Sequence, residues 1–137
     1  MGTFKSNKIT NVPARQIHAG ANVEVALYSG SASLSAGDIV QVTNIANGGR
    51  VVDVQIIANN LSASIGPTVS VGDGNDSGRF VATATVNATV VGRMNLVGGA
   101  NYEYTADDTV DVLIAGPGGD PTAQPNIVAI ITTVYDN

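Results

Sequence analysis

The sequence contains no cysteine and no tryptophan, and only 4% of its residues are aromatic. Without cysteine, the chain forms no disulfide and offers no thiolate ligand to a metal. Sugar-binding β-sandwiches usually present exposed aromatic rings, so the shortage of aromatics argues against that role. No apolar run approaches the ~20 residues that a membrane-spanning helix requires. The first eight residues also lack the apolar core of a signal peptide. We therefore expect no membrane partner.

Charged residues are also scarce, at 12% of the chain, against about 25% in typical soluble domains. The net charge is −5, and the six basic residues are scattered along the sequence. Duplex nucleic acid needs several convergent lysines or arginines, so we expect no nucleic-acid partner. A sparsely charged surface favours a protein whose faces are partly covered by other subunits.

Apolar residues make up 44% of the chain and are mainly valine, alanine and isoleucine, which favours β-structure with small side chains. From Asn22 onward they recur with a period of two, as in half-buried strands. About nine short strands spaced about 8–12 residues apart indicate a sandwich or a barrel. We predict that residues 22–137 form one all-β domain, a jelly-roll-like β-sandwich of about eight to nine short antiparallel strands. An immunoglobulin-like sandwich is the alternative, less favoured because its Cys–Trp–Cys core is absent.

Residues 1–21 differ from the rest of the chain because they show no clear period. They contain both lysines, Lys5 and Lys8, together with Arg15 and the only histidine, His18. We predict that this segment is an extended N-terminal arm that becomes ordered on a partner, with these four side chains as interaction residues.

The last predicted strand runs from Ile127 to Tyr135 and begins with apolar residues on both faces. Such a strand lies in the centre of a sheet or is covered by another subunit. We therefore predict self-association through this strand. The predicted interface residues are Ile127, Val128, Ile130 and Ile131.

No set of residues forms a convincing active site. A Ser-His-Asp triad would have to use His18, which nothing would hold rigidly in the predicted arm. The triplet 76–78, Asp-Ser-Gly, matches the core of aspartic proteases, but the flanking residues Asn75 and Arg79 are not the apolar strand residues of that motif. We predict no enzyme activity, no catalytic residue and no cofactor.

The segment from Asp73 to Gly78 resembles the first half of a calcium-binding loop, with oxygen-bearing side chains at positions 1, 3 and 5. The glutamate required at position 12 is replaced by Ala84, which excludes an EF-hand. Asp, Asn and Gly are also the usual turn formers, so we predict a turn without a metal. An irregular calcium site helped by Asp107, Asp108 or Asp111 is the alternative.

The segment from Asp38 to Phe80 has a distinctive order of features. A Gly-Gly-Arg turn at residues 48–50 leads into an apolar strand. A valine-rich strand at 68–71 then runs into a turn rich in Gly, Asp and Asn, closed by Arg79 and Phe80. This order resembles that of the small decoration (cement) proteins that coat the capsids of tailed bacteriophages.

This resemblance implies a virion structural protein on the exterior of the capsid, made in the host cytoplasm. It would bind the major capsid protein, associate with itself as a homodimer or homotrimer, and stabilise the shell against internal DNA pressure. The alternative is a receptor- or glycan-binding β module of a phage tail fibre or spike.

Overall fold

The structure is a computed structural model, which describes residues 2–10, 20–30, 34–59, 68–85, 89–94, 97–100, 102–114 and 126–135. In this part of the chain, nine strands and two four-residue helices follow one another: β1 (Thr3–Lys5), α1 (Asn7–Thr10), β2 (Gly20–Ser29), β3 (Ile39–Ile45), β4 (Gly49–Asn59), β5 (Thr68–Gly72), β6 (Val81–Thr85), β7 (Thr89–Arg93), α2 (Val97–Ala100), β8 (Asp108–Ile114) and β9 (Asn126–Tyr135). Neither helix is long and apolar enough to cross a membrane.

The strands pair from the two ends of the chain inwards. β2 pairs with β9, β3 with β8, β4 with β7 and β5 with β6, all antiparallel. Further pairs, β4–β9 and β5–β8, join these ribbons into two sheets with the orders β2-β9-β4-β7 and β1-β3-β8-β5-β6. The predicted all-β sandwich is confirmed, and this inward pairing is how a long hairpin rolls up into a jelly roll.

Alternating residues of both sheets fill the space between them. On β8, Val110, Val112 and Ile114 are at most 1% exposed, as their spacing in the sequence predicts. On β4, the spacing predicts that Val52 lies on the same face as Val54, yet Val52 is 42% exposed. A β-bulge between Val51 and Asp53 is the cause, because its extra residue shifts the alternation of the strand by one position.

The described part of the predicted arm lies on the domain instead of extending from it. β1 pairs with β3 in parallel, and Phe4 packs against the core. Ser6 is buried, donates a hydrogen bond to the carbonyl oxygen of Val42 at 2.5 Å, and accepts one from the Lys8 N–H. The end of the predicted arm, from Gly20, belongs to β2.

We expect a variant that starts at residue 11 to be less stable than the full chain. It would lose β1, the packing of Phe4 and the buried hydrogen bonds of Ser6, which together contribute about 2–4 kcal/mol. Thermal unfolding followed by circular dichroism measures the effect. A double variant, Lys5→Ala with Lys8→Ala, is the control because the Lys5 side chain is exposed and Lys8 is only half-buried. Equal unfolding temperatures for the truncated and full-length chains would contradict the structural role of this segment.

Candidate interface

β9 lies between β2 and β4, so its residues alternate between the core and the outer face of this sheet. The four predicted interface residues divide accordingly. Ile127 and Ile131 are 1% exposed and belong to the core of the chain itself. Val128 and Ile130 are half-buried on the outer face. An interface on β9 would therefore use Val128 and Ile130, while Ile127 and Ile131 pack in the core on the other side of the strand.

The outer row of β2 is more exposed than that of β9. Val23, Val25 and Leu27 are 66%, 46% and 50% exposed. On the opposite side of the same strand, Ala26 is buried in the core, and the Glu24 carboxylate accepts a hydrogen bond from the Thr43 hydroxyl. The aliphatic side chains larger than alanine on β2 therefore face solvent, while Ala26, Tyr28 and the Glu24 carboxylate face inwards.

These side chains form continuous rows across the sheet. Leu27 lies opposite Val128, which lies opposite Ile57 of β4. Val25 lies opposite Ile130 in the neighbouring row. Directly opposed residues have Cβ atoms about 4.5–5.5 Å apart, so the side chains within each row are neighbours. We call this surface the aliphatic face; it consists of Val23, Val25, Leu27, Ile57, Val128 and Ile130.

Two ion pairs border the aliphatic face. The Arg93 guanidinium lies 2.9 Å from the Asp53 carboxylate, and both side chains are solvent-exposed. The Arg50 guanidinium lies 3.0 Å from the carboxylate of Glu103. Exposed pairs of this kind contribute about 0–1 kcal/mol to stability. Because each ion pair joins one positive and one negative side chain, the two pairs add no net charge to the border of the aliphatic face.

Two of the predicted arm residues, Lys5 and Lys8, lie next to the aliphatic face. They line a groove of about 1090 Å³ together with Val23 and Val25 of that face and with the acidic residues Glu24, Asp107 and Asp108. The groove therefore carries charges of both signs. Arg15 and His18 lie outside the described residues, and the interaction role of all four side chains stays a prediction.

The turn after β5 is built around a buried carboxylate. The Asp73 side chain has no exposed surface and forms an ion pair with Arg79. It also accepts hydrogen bonds from the Tyr104 hydroxyl at 2.7 Å and from the backbone N–H groups of Asn75 and Asp76 at 3.0 and 2.9 Å. The guanidinium of Arg79 in turn stacks 3.7 Å above the ring of Tyr102.

This network explains the electrostatics of the turn. Burial alone would raise the pKa of Asp73, but the hydrogen bonds from Arg79, Tyr104 and the two backbone N–H groups outweigh it and hold the pKa below its usual value. Burial, and then the bond to Asp73, raise the pKa of Tyr104. The carboxylate that a calcium ion would need is thus already fully paired within the protein. In the described part of the chain, no group of acidic or histidine side chains is arranged to hold a metal.

Asp111 is a second buried carboxylate, on the outer side of β8. It is 8% exposed and accepts one hydrogen bond, from the Thr109 hydroxyl at 2.7 Å. Burial raises the pKa of Asp111 to about 6, and the charges of Asp108 and Asp73 act in the same direction. The bond from Thr109 opposes this rise. At neutral pH, the surroundings therefore destabilise the ionised carboxylate of Asp111, whereas they stabilise that of Asp73.

Comparisons with known proteins place this fold among chains of phage capsids. No protein-family model and no curated protein matches the sequence. Among solved structures, a chain from "Capsid of Ralstonia phage GP4" has a TM-score of 0.78 at 19% identity, over 98% of this chain and 99% of that one. A chain from "Cyanophage Pam1 capsid asymmetric unit" has a TM-score of 0.68 at 16% identity, over 92% of each chain. A third, from "Acidic stable capsid structure of Helicobacter pylori bacteriophage KHP30", has a TM-score of 0.56 at 14% identity, over 88% of this chain and 92% of that one.

These similarities establish the fold, because they extend over nearly the full length of both chains. They do not extend to individual residues, since the identities lie between 14% and 19%. The shared features are the β-sandwich and the chain length.

Proposed function

We propose that this chain is a virion structural protein of a tailed bacteriophage, a decoration (cement) protein that binds the outer surface of the major capsid shell and stabilises it. The observation that carries the proposal is the match to a chain of the Ralstonia phage GP4 capsid over 98% of this chain and 99% of that one. A match in both directions pairs one small chain with another, not with one domain of a large shell subunit.

The sequence supports the same proposal independently. The resemblance to decoration proteins rests on the segment from Asp38 to Phe80, whose turn residues form the buried network of Asp73 and Arg79. That network holds the turn through bonds within the protein. A turn whose polar groups are bonded within the protein keeps its conformation, which suits a protein on the exterior of a particle.

The mechanism of stabilisation is multivalent. Each copy would contact neighbouring shell subunits, and a fixed lattice converts each further contact into an intramolecular event with a high effective concentration. Weak individual contacts then suffice to oppose outward pressure. The predicted arm residues Lys5 and Lys8 are candidates for contact with the shell, because they carry positive charge at the surface of a chain whose net charge is −5.

Disruption of the gene in the parent phage tests the proposal. We expect virions that lack the protein to release their DNA at a lower temperature than wild-type virions. Purified protein added back should co-sediment with the particles and restore the release temperature. The double variant Lys5→Ala with Lys8→Ala tests the arm residues in the same assay, and the variant Asp76→Ala, in an exposed turn, is its matched control.

If virions that lack the protein are as heat-stable as wild-type virions but fail to adsorb to host cells, the decoration role is contradicted. That result would favour the alternative, a receptor- or glycan-binding module of a tail fibre or spike.

A further inference from the structure

We propose that the aliphatic face binds a second copy of this chain, face to face about a twofold axis. The inference deepens the proposed function by naming the surface through which copies associate, and it rests on that function for its setting, a lattice of many copies. In the proposed dimer, the β2-β9-β4-β7 sheets of the two copies pack against each other, with Val25, Leu27 and Ile130 near the centre.

Three aliphatic side chains of β2 are exposed next to one another. Val23, Val25 and Leu27 are between 46% and 66% exposed and lie on one side of one strand. Single exposed aliphatic residues are common on monomers, but a contiguous patch marks an interaction surface. Val128 and Ile130 extend the patch across β9, which makes it continuous.

The aliphatic face lies on three long strands. β2 and β9 have ten residues each and β4 has eleven. With a rise of about 3.4 Å per residue and strands about 4.8 Å apart, the three strands cover about 34 Å by 14 Å, roughly 500 Å². This area includes polar residues opposite the aliphatic ones, Gln55 opposite Ile130 and Thr132 opposite Val23. A standard interface needs about 800 Å² of accessible surface per partner, so the aliphatic face would form the apolar centre of the contact and the polar residues around it would form the rim.

The charge of the chain restricts which of its surfaces can meet a second copy. Each copy carries a net charge of −5, so two copies repel each other over most orientations. A twofold contact pairs a surface with itself and requires a surface that does not repel itself. The aliphatic face has no charged member. At its border, Asp53 and Glu103 are each paired with an arginine. The groove beside Val23 and Val25 holds both lysines as well as acidic residues, so it too carries charges of both signs.

Strand addition at the free edge of β2 is a competing way for two copies to join, but part of that edge is already occupied. The side-chain oxygen of Asn7 accepts a hydrogen bond from the Leu27 N–H at 2.8 Å. A second strand would have to displace this bond. Face-to-face packing leaves it intact, which favours the face over the edge.

Size-exclusion chromatography with multi-angle light scattering tests the inference on the purified full-length chain. We expect the wild type at 100 µM to have twice the 13.8 kDa mass of one chain. Val25→Lys and Ile130→Lys should each weaken the dimer at least tenfold, because they bury two like charges at the twofold contact. Ala82→Lys is the control because Ala82 is exposed on β6 of the other sheet. Circular dichroism verifies that each variant is folded.

Each outcome decides the question. A monomeric wild type at 100 µM overturns the inference, as do dimers that survive both substitutions. If Val25→Lys breaks the dimer and Ile130→Lys does not, the copies join at the β2 edge and the face-to-face arrangement is wrong. If a monomeric wild type binds capsids and Val25→Lys abolishes that binding, the face belongs to the shell protein. If the dimer behaves as expected but virions lack the protein, the proposed function fails and this inference stands.

Discussion

Replacing Asp73 by alanine should destabilise the protein by about 3–5 kcal/mol, because it removes one member of a buried ion pair. The Asp73 side chain is fully buried, and its loss leaves Arg79, the buried Tyr104 hydroxyl and two backbone N–H groups without their acceptor. In a domain of this size, we expect the unfolding temperature to fall by roughly 10–20 °C.

The control for this substitution is Asp76→Ala in the same turn. The Asp76 side chain is exposed and accepts a hydrogen bond from the Gly78 N–H at 3.0 Å, so its loss should cost less than about 1 kcal/mol. Differential scanning calorimetry or thermal circular dichroism compares the two variants. Similar unfolding temperatures would show that the buried network does not hold the turn.

The stability of the protein should decrease as the pH rises through the range from about 4 to 6. The pKa of Asp111 is raised in the folded state to about 6, from 3.8. The folded state therefore binds more protons than the unfolded state in this range, and the free energy of unfolding falls with rising pH by up to about 3 kcal/mol. Asp73 acts in the opposite direction but at lower pH, because its pKa is lowered in the folded state and its contribution is lost only as the pH falls below its usual range.

Two variants isolate the contribution of Asp111. Asp111→Asn should flatten the dependence of the unfolding free energy on pH between 4.5 and 7.5. Thr109→Val removes the hydrogen bond that opposes the rise in pKa, and should shift the decrease in stability to higher pH. Urea unfolding at a series of pH values measures both. A wild-type curve that remains parallel to that of Asp111→Asn would contradict the role of Asp111.

Much of the fold follows from local patterns in the sequence. The alternation at Val110, Val112 and Ile114 places all three in the core, as observed. The apolar start of the last strand predicts a central position, and β9 lies between β2 and β4. These predictions succeed because the apolar residues of β8 and β9 keep a regular alternation, so the strand's own sequence indicates which side is buried.

Other features depend on contacts that the sequence does not display. The bulge that exposes Val52 arises from pairing with β9, which lies far away along the chain. Leu27 faces solvent on β2, and Glu24 on the opposite side of the strand is bonded to Thr43, 19 residues away. The partner of Asp73, Tyr104, is 31 residues away. In each case the deciding neighbour is distant in sequence, so no local period reveals it.

The N-terminal segment illustrates the same point. Three residues, Thr3–Lys5, are too few to show a period, yet they pair with β3 as an edge strand. Ser6 reads as a polar residue in a polar segment, although it is buried and bonded to Val42. Short edge strands of this kind become visible only when the strand that they pair with is known.

Cryo-electron microscopy of the parent virion tests the central claim most directly. We expect the β-sandwich to appear on the outer surface of the head, at positions where neighbouring shell subunits meet, and in a fixed number of copies per shell subunit. Density for the sandwich in a tail fibre or spike, or a fully resolved head that lacks it, would contradict the proposal that this chain decorates the capsid.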